Sequence, residues 1–245
     1  MQKIISYPIS FVAVVLFLLV LVVFHPIQWI CFNVFGYQAH KKSVDYLNWC
    51  LLRVGHLLGT TYDVVNRKMV PQNVPVIFVA NHQSLYDIIA IIWFFRTNHP
   101  KFVSKKELGS GIPSVSFNLK HGGSVLIDRK DPKQAIPVIK KLSEYIEKYK
   151  RSAVIFPEGT RSRTGAPKEF ATSGLKILCK YAPSAYVVPI SINNSWKMVK
   201  YGFFPLGLGN RLTFTVHEPI RVGDMPFDQL MQRTESLIVQ GIKNN

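Results

Sequence analysis

Along most of the chain, short apolar runs alternate with longer stretches whose apolar residues recur at helical spacing. The runs Val76–Ala80, Lys101–Ser104, Ser124–Ile127, Ala153–Phe156, Tyr186–Ile192 and Arg211–His217 are predicted strands, several rich in β-branched residues. Helical patterns cover Leu85–Phe95, Ile136–Tyr149, Gly174–Tyr181 and Phe227–Ile242. Asp131-Pro132 suits a helix start, and Pro137 pushes the regular part later. Such alternation predicts an α/β fold with helices covering a sheet. Pro71 to Pro75 marks the boundary into this part of the chain.

The N-terminus follows another pattern. No Asp, Glu, Lys or Arg occurs from Ile4 to Ala39, and Phe11 to Phe24 is almost purely aliphatic and aromatic. With Ile9 and Ser10 this approaches the ~20 residues of a spanning helix, and Pro26 then interrupts it. A secretory signal fits less well, because no small-residue cleavage site follows. Apolar residues all round the helix argue for lipid over a buried core. Tyr46 to Tyr62 is a second, amphipathic stretch, so residues 1–66 are expected to form a membrane-embedded helical pair ahead of the domain at 67–245. Spanning and lying in one leaflet both remain open. The stronger basic cluster, His40, Lys41 and Lys42, follows the segment and predicts a domain on the cytoplasmic face, the inner membrane for a bacterial chain.

Charge narrows the partners. Thirty Lys and Arg against 14 Asp and Glu give +16, which calls for an anionic partner: nucleic acid, an anionic membrane or phosphorylated substrates. Zinc-finger spacings and aromatic-interleaved basic clusters are missing, which disfavours nucleic acid. Cys31, Cys50 and Cys179 suggest neither a disulfide framework nor a metal site.

Candidate chemistry gathers where strands end. His82 and Asp87 flank a strand-to-helix junction in Ala80-Asn81-His82-Gln83-Ser84-Leu85-Tyr86-Asp87. On one regular helix five residues turn ~140° past a full turn, so the two would point apart. They meet only with His82 in the turn and Asp87 in the first helical turns. Asp87 then fixes one ring nitrogen and leaves the other as a general base. The plainer reading is a capping residue and a helix-start acid. Lys105 follows one strand, Asp128-Arg129 another, and Phe156-Pro157-Glu158-Gly159-Thr160-Arg161 a third. Basic residues and glycines at such ends suit a phosphate: Arg161 can grip two oxygens and Lys105 offers a point charge. Glu158 is expected to hold a basic residue in place. Taken singly, these segments also read as a surface ion pair and a turn. Val188-Pro189-Ile190 places a proline inside a strand, which ordinarily marks an edge or a bulge.

Together, Asn81-His82 with Asp87, Gly123 to Arg129, Phe156 to Arg161 and Val188-Pro189-Ile190 resemble the four ordered blocks of the 1-acyl-sn-glycerol-3-phosphate (lysophosphatidate) acyltransferases, a glycerolipid acyltransferase family. The resemblance covers about residues 70 to 195, with no departure at His82, Asp87, Gly159 or Arg161. It implies a mixed central sheet flanked by helices. It also implies acyl transfer from acyl-CoA or acyl carrier protein to a lysophospholipid, with no metal and no further cofactor. His82 is then the base, Asp87 its orienting partner and Arg161 the phosphate ligand. Gly159 and Thr160 shape the loop, Glu158 completes it, and Lys105 and Arg129 assist. The acceptor supplies the nucleophile, which leaves Ser84 as a helix-start residue. The competing expectations are another lyso-lipid acceptor, such as a lyso-ornithine lipid, a non-catalytic membrane adaptor, and a hydrolase. The hydrolase lacks a Gly-x-Ser-x-Gly elbow.

Overall fold

The computed structural model describes residues 2–128 and 131–243. Its principal elements are α1 (Gln2–Leu57), β1 (Thr61–Val65), β2 (Val76–Ala80), α2 (Tyr86–Phe94), β3 (Pro100–Lys105), α3 (Val115–His121), β4 (Val125–Ile127), α4 (Pro132–Tyr149), β5 (Ser152–Ile155), α5 (Ser173–Tyr181), β6 (Tyr186–Asn193), β7 (Arg211–Val216), β8 (Ile220–Arg221) and α6 (Phe227–Gln240). The strands form one sheet in the order β1-β7-β6-β2-β5-β3-β4, and β8 pairs with the start of β6. Strands β2 to β6 run one way; β1, β7 and β8 run the other. The sheet is therefore mixed.

Alternation along β2 builds both layers of the core. Val76, Phe78 and Ala80 face a cluster formed with α1 and α2, while Ile77 and Val79 face a second cluster with α4, α5 and α6. Burial on both faces explains the continuous apolar reading of β2, β5 and β6. Registers Val76↔Ser152 and Pro100↔Ser152 start β2, β5 and β3 level, so these strands also end along one rim. His82 and Phe156 follow strands at that rim, and Lys105 ends one there.

Several expectations shift. The first helix runs through Pro26 and breaks at Gly36, where φ +79° and ψ −172° are open mainly to glycine. Two limbs, 2–35 and 37–57, form the expected helical pair, with the break at Gly36 and not at Pro26. The second limb stops short of Tyr62, which belongs to β1, paired in parallel with β7. Helix α4 starts at Pro132 despite Pro137: proline suits the first helical position, and Asp131 caps it by accepting from the Gln134 N–H at 3.2 Å. Pro189 lies in a central strand, where β6 changes partner from β8 at Val187 to β7 at Ile190. Its missing N–H faces that change-over, and its carbonyl accepts from His217 N at 3.0 Å.

The first limb is long and apolar enough to cross a membrane. It nevertheless lies against the domain along its length. Ser6, Ser10, Ala13, Leu21 and Gln28 form its buried stripe. Leu206 N donates to Ser10 Oγ (2.8 Å), Ser114 Oγ to Leu21 O (2.6 Å), and the Phe32 ring meets Phe117 at 6.0 Å. Phe11, Val12, Leu18, Leu19 and Val22 stay exposed on its other sides. Of the three basic residues after it, His40 is buried and Lys41 bonds Asp45 and the Arg96 carbonyl.

Candidate active site

Asn81 ends β2 by clamping it to β6. Its side chain donates to Ile192 O (2.9 Å) and accepts from Ile192 N (2.7 Å). The chain then turns, and α2 begins at Tyr86, which places Asp87 in the first helical turn. His82 Nδ1 lies 2.9 Å from Asp87 Oδ2. The same oxygen accepts from Gln83 N (2.7 Å) and Ser84 N (2.9 Å), while Ser195 Oγ donates to Oδ1. A carboxylate accepts only, so Nδ1 carries the proton and Nε2 keeps its lone pair. Asp87 is fully buried, and four donors meet its two oxygens. His82 retains 12% side-chain exposure, and its ring stacks on Phe156 at 4.1 Å between centroids.

A hydroxyl relay backs this pair. The proton of Ser195 goes to Asp87, so the proton between Ser84 Oγ and Ser195 Oγ belongs to Ser84. Tyr86 N in turn donates to Ser84 Oγ at 3.1 Å, the helix-start role expected of Ser84. Gln83 links the same parts: its Oε1 accepts from Ser195 N (2.9 Å) and its Nε2 donates to Gly165 O (3.2 Å).

The loop after β5 folds onto His82. Ser162 N donates to His82 O (2.7 Å), and His82 N donates to Glu158 Oε1 (3.3 Å). Glu158 thus holds the His82 backbone, and among the described residues no basic side chain bonds to it. It is 8% exposed, and its Oε2 has no partner among the described residues. Burial pushes this carboxyl up to about 7, against the His82 N–H bond and the Lys168 charge. Gly159 turns the loop at φ +67°. Thr160 and Arg161 are exposed, with Lys168 Nζ donating to Thr160 Oγ1 (2.8 Å) and Arg161 O (3.1 Å). Lys105 is exposed at the end of β3, on the same rim. Arg129 lies outside the described residues. Among the described residues, no group of three or more His, Cys, Asp or Glu is placed to hold a metal ion.

Ser195, Gln83, Lys168 and the Phe156 stack were not foreseen as parts of the site. Ser195 and Gln83 meet across 112 residues of chain, and no local pattern encodes that contact.

A family model described as Acyltransferase matches residues 61–193, more than half of the chain. The chain belongs to the acyltransferase family. Among its relatives, a Helicobacter pylori 1-acyl-sn-glycerol-3-phosphate acyltransferase is 36% identical over 133 residues, 51% of this chain and 54% of that protein. A Saccharomyces cerevisiae protein of the same name is 26% identical over 183 residues, 74% of this chain and 58% of that one. The chain spans about half the length of the curated relatives it matches. The crystal structure of the 1-acyl-sn-glycerophosphate (LPA) acyltransferase PlsC from Thermotoga maritima superposes with a TM-score of 0.82 over 99% of this chain and 96% of that one, at 22% identity. That likeness supports the fold of this acyltransferase-family chain. The family match contains His82, Asp87 and the Glu158–Arg161 loop, whereas Ser195 lies beyond it.

Proposed function

We propose that this chain moves a fatty acyl group from acyl-CoA or acyl carrier protein to the free hydroxyl of lysophosphatidate, giving phosphatidate for phospholipid synthesis. The observation that carries the proposal is a histidine bonded through Nδ1 to a buried carboxylate, with Nε2 left as a base. His82 Nε2 takes the hydroxyl proton as the acceptor oxygen attacks the thioester carbonyl. The tetrahedral intermediate then collapses, the C–S bond breaks, and the imidazolium returns the proton to the departing thiolate. Asp87 stabilises the imidazolium throughout. Arg161, exposed on the loop that folds onto His82, binds the acceptor phosphate, with Lys105, exposed on this rim, and Arg129 as further cationic groups.

The acyl chains of acceptor and product belong in a bilayer. The first limb of α1, docked along the domain and apolar on its free faces, embeds in the cytoplasmic leaflet and does not cross. This keeps the catalytic rim within reach of lipid.

A thioester-release assay in liposomes, with both donors and a panel of lyso-lipids, tests the reading. Transfer to lysophosphatidate is expected, and His82→Ala should abolish it while the protein stays folded. Near-wild-type turnover by the variant would remove His82 from the mechanism. Transfer only to a lyso-aminolipid would change the acceptor. Normal lipid binding without any transfer would leave a membrane adaptor.

A further inference from the structure

A second polar cluster lies at the opposite rim of the sheet. Lys101 is the second residue of β3 and pairs in register with Ala153, itself level with Ile77. Five residues separate Ile77 from His82, so the two levels are ~16 Å apart at ~3.3 Å per strand residue. Here the second limb of α1 crosses the start of β3 and encloses a cavity of about 20 Å³ lined by His40, Lys41, Asp45, His99, Lys101 and Ser124, among others. One water needs ~10–15 Å³ on this measure. The space suits one or two water-sized bodies and is too small for a phosphate.

Its walls are short of negative charge. Lys101 is only 6% exposed, and among the described residues no hydrogen-bond acceptor meets its ammonium, which lies 5.2 Å from the Tyr37 ring centroid. Lys41, Arg96 and Arg151 add positive charge nearby, and Asp45 is the acid that opposes them, already bonded to Lys41. Both ring nitrogens of His40 are buried without a partner among the described residues. Ser124 Oγ accepts from Phe102 N at 3.1 Å and keeps its own proton to donate. Burial, Arg151 and Lys41 push the Lys101 ammonium down to about 7, with Asp45 opposing. Burying an ammonium without a hydrogen-bonded acceptor is costly, and a paired anion relieves that cost beyond what the Tyr37 ring and Asp45 supply.

We propose that this cavity binds one halide-sized anion, chloride in the cell, held by the Lys101 ammonium and the Ser124 hydroxyl. The ion completes the joint between the second limb of α1 and the sheet. Nothing in this assignment depends on the catalytic reading of the other rim.

Two measurements on the full chain test it. Crystals grown in bromide should show an anomalous peak within hydrogen-bonding reach of Lys101 Nζ. Thermal unfolding in chloride against gluconate, at constant ionic strength, should give a saturable rise of about 3–6 °C at tenfold over the dissociation constant. Lys101→Met should lose that response while acyl transfer persists. A bromide map empty at this site, or a wild-type Tm indifferent to chloride, overturns the proposal. An equal response in Lys101→Met also overturns it. If Lys101→Met does not fold, the bromide map and the wild-type titration decide.

Discussion

Ser195→Ala tests whether the relay behind Asp87 matters to catalysis. The substitution removes the hydroxyl that donates to Asp87 Oδ1 and leaves the three donors on Oδ2, from His82, Gln83 and Ser84. A hydrogen bond to an ionised group is worth about 1.5–3 kcal/mol net. At ~1.4 kcal/mol per tenfold, full expression in the transition state lowers kcat by about 10- to 150-fold. Ser195 is fully buried behind the carboxylate, so KM for the acceptor should hold. Ser84→Ala removes the hydroxyl one step further out and keeps the Ser195–Asp87 bond. Its kcat should fall less. Initial rates in liposomes at saturating donor separate kcat from KM, and circular dichroism checks that each variant is folded. A folded Ser195→Ala within twofold of wild type would refute the argument, as would Ser84→Ala being the slower of the two.

Arg161→Ala should raise KM for lysophosphatidate by about 10- to 100-fold with little change in kcat, because a charge-assisted contact is lost from binding; an unchanged KM puts the phosphate elsewhere. Glu158 titrates at about 7 in the fold against 4.5 as its ordinary value. The folded chain therefore holds its proton longer, and this group's contribution to stability is intact below about 4.5 and lost as pH rises through about 7, roughly 3 kcal/mol in all. Thermal melts of wild type and Glu158→Gln should accordingly diverge as pH rises from 5 to ~8, with wild type losing more. Leu18→Glu with Val22→Glu places charges on the exposed side of the first limb, at ~3 kcal/mol or less each depending on depth, and should abolish co-sedimentation with anionic vesicles.

The central strands and the larger helices were legible because burial leaves strong local patterns. Val76–Ala80 is apolar on both faces and was read with its observed limits. Strand β1, Thr-Tyr-Asp-Val-Val, was lost: it is a half-exposed edge whose tyrosine continued the apolar spacing of the preceding helix. Helix α3 escaped because Leu119 is its only buried residue, and the helix packs on α1, the turn at Lys106–Gly109 and β4 without an apolar stripe of its own. At the site, His82 and Asp87 were readable together because five residues and one turn join them. Glu158 was visible as a residue but not as the acceptor for the His82 backbone, and Ser195 was not visible at all, since only the completed sheet brings β6 beside β2.

The clamp of Ser195 on Asp87 also orders events during synthesis. Ser195 follows Asp87 by 108 residues, or roughly 5–20 s of translation. The apolar limb of α1 leaves the ribosome well before either. Until β6 and the residues after it join the sheet, Asp87 therefore has only its local donors on Oδ2, and the Oδ1 side of the clamp is a late product of synthesis.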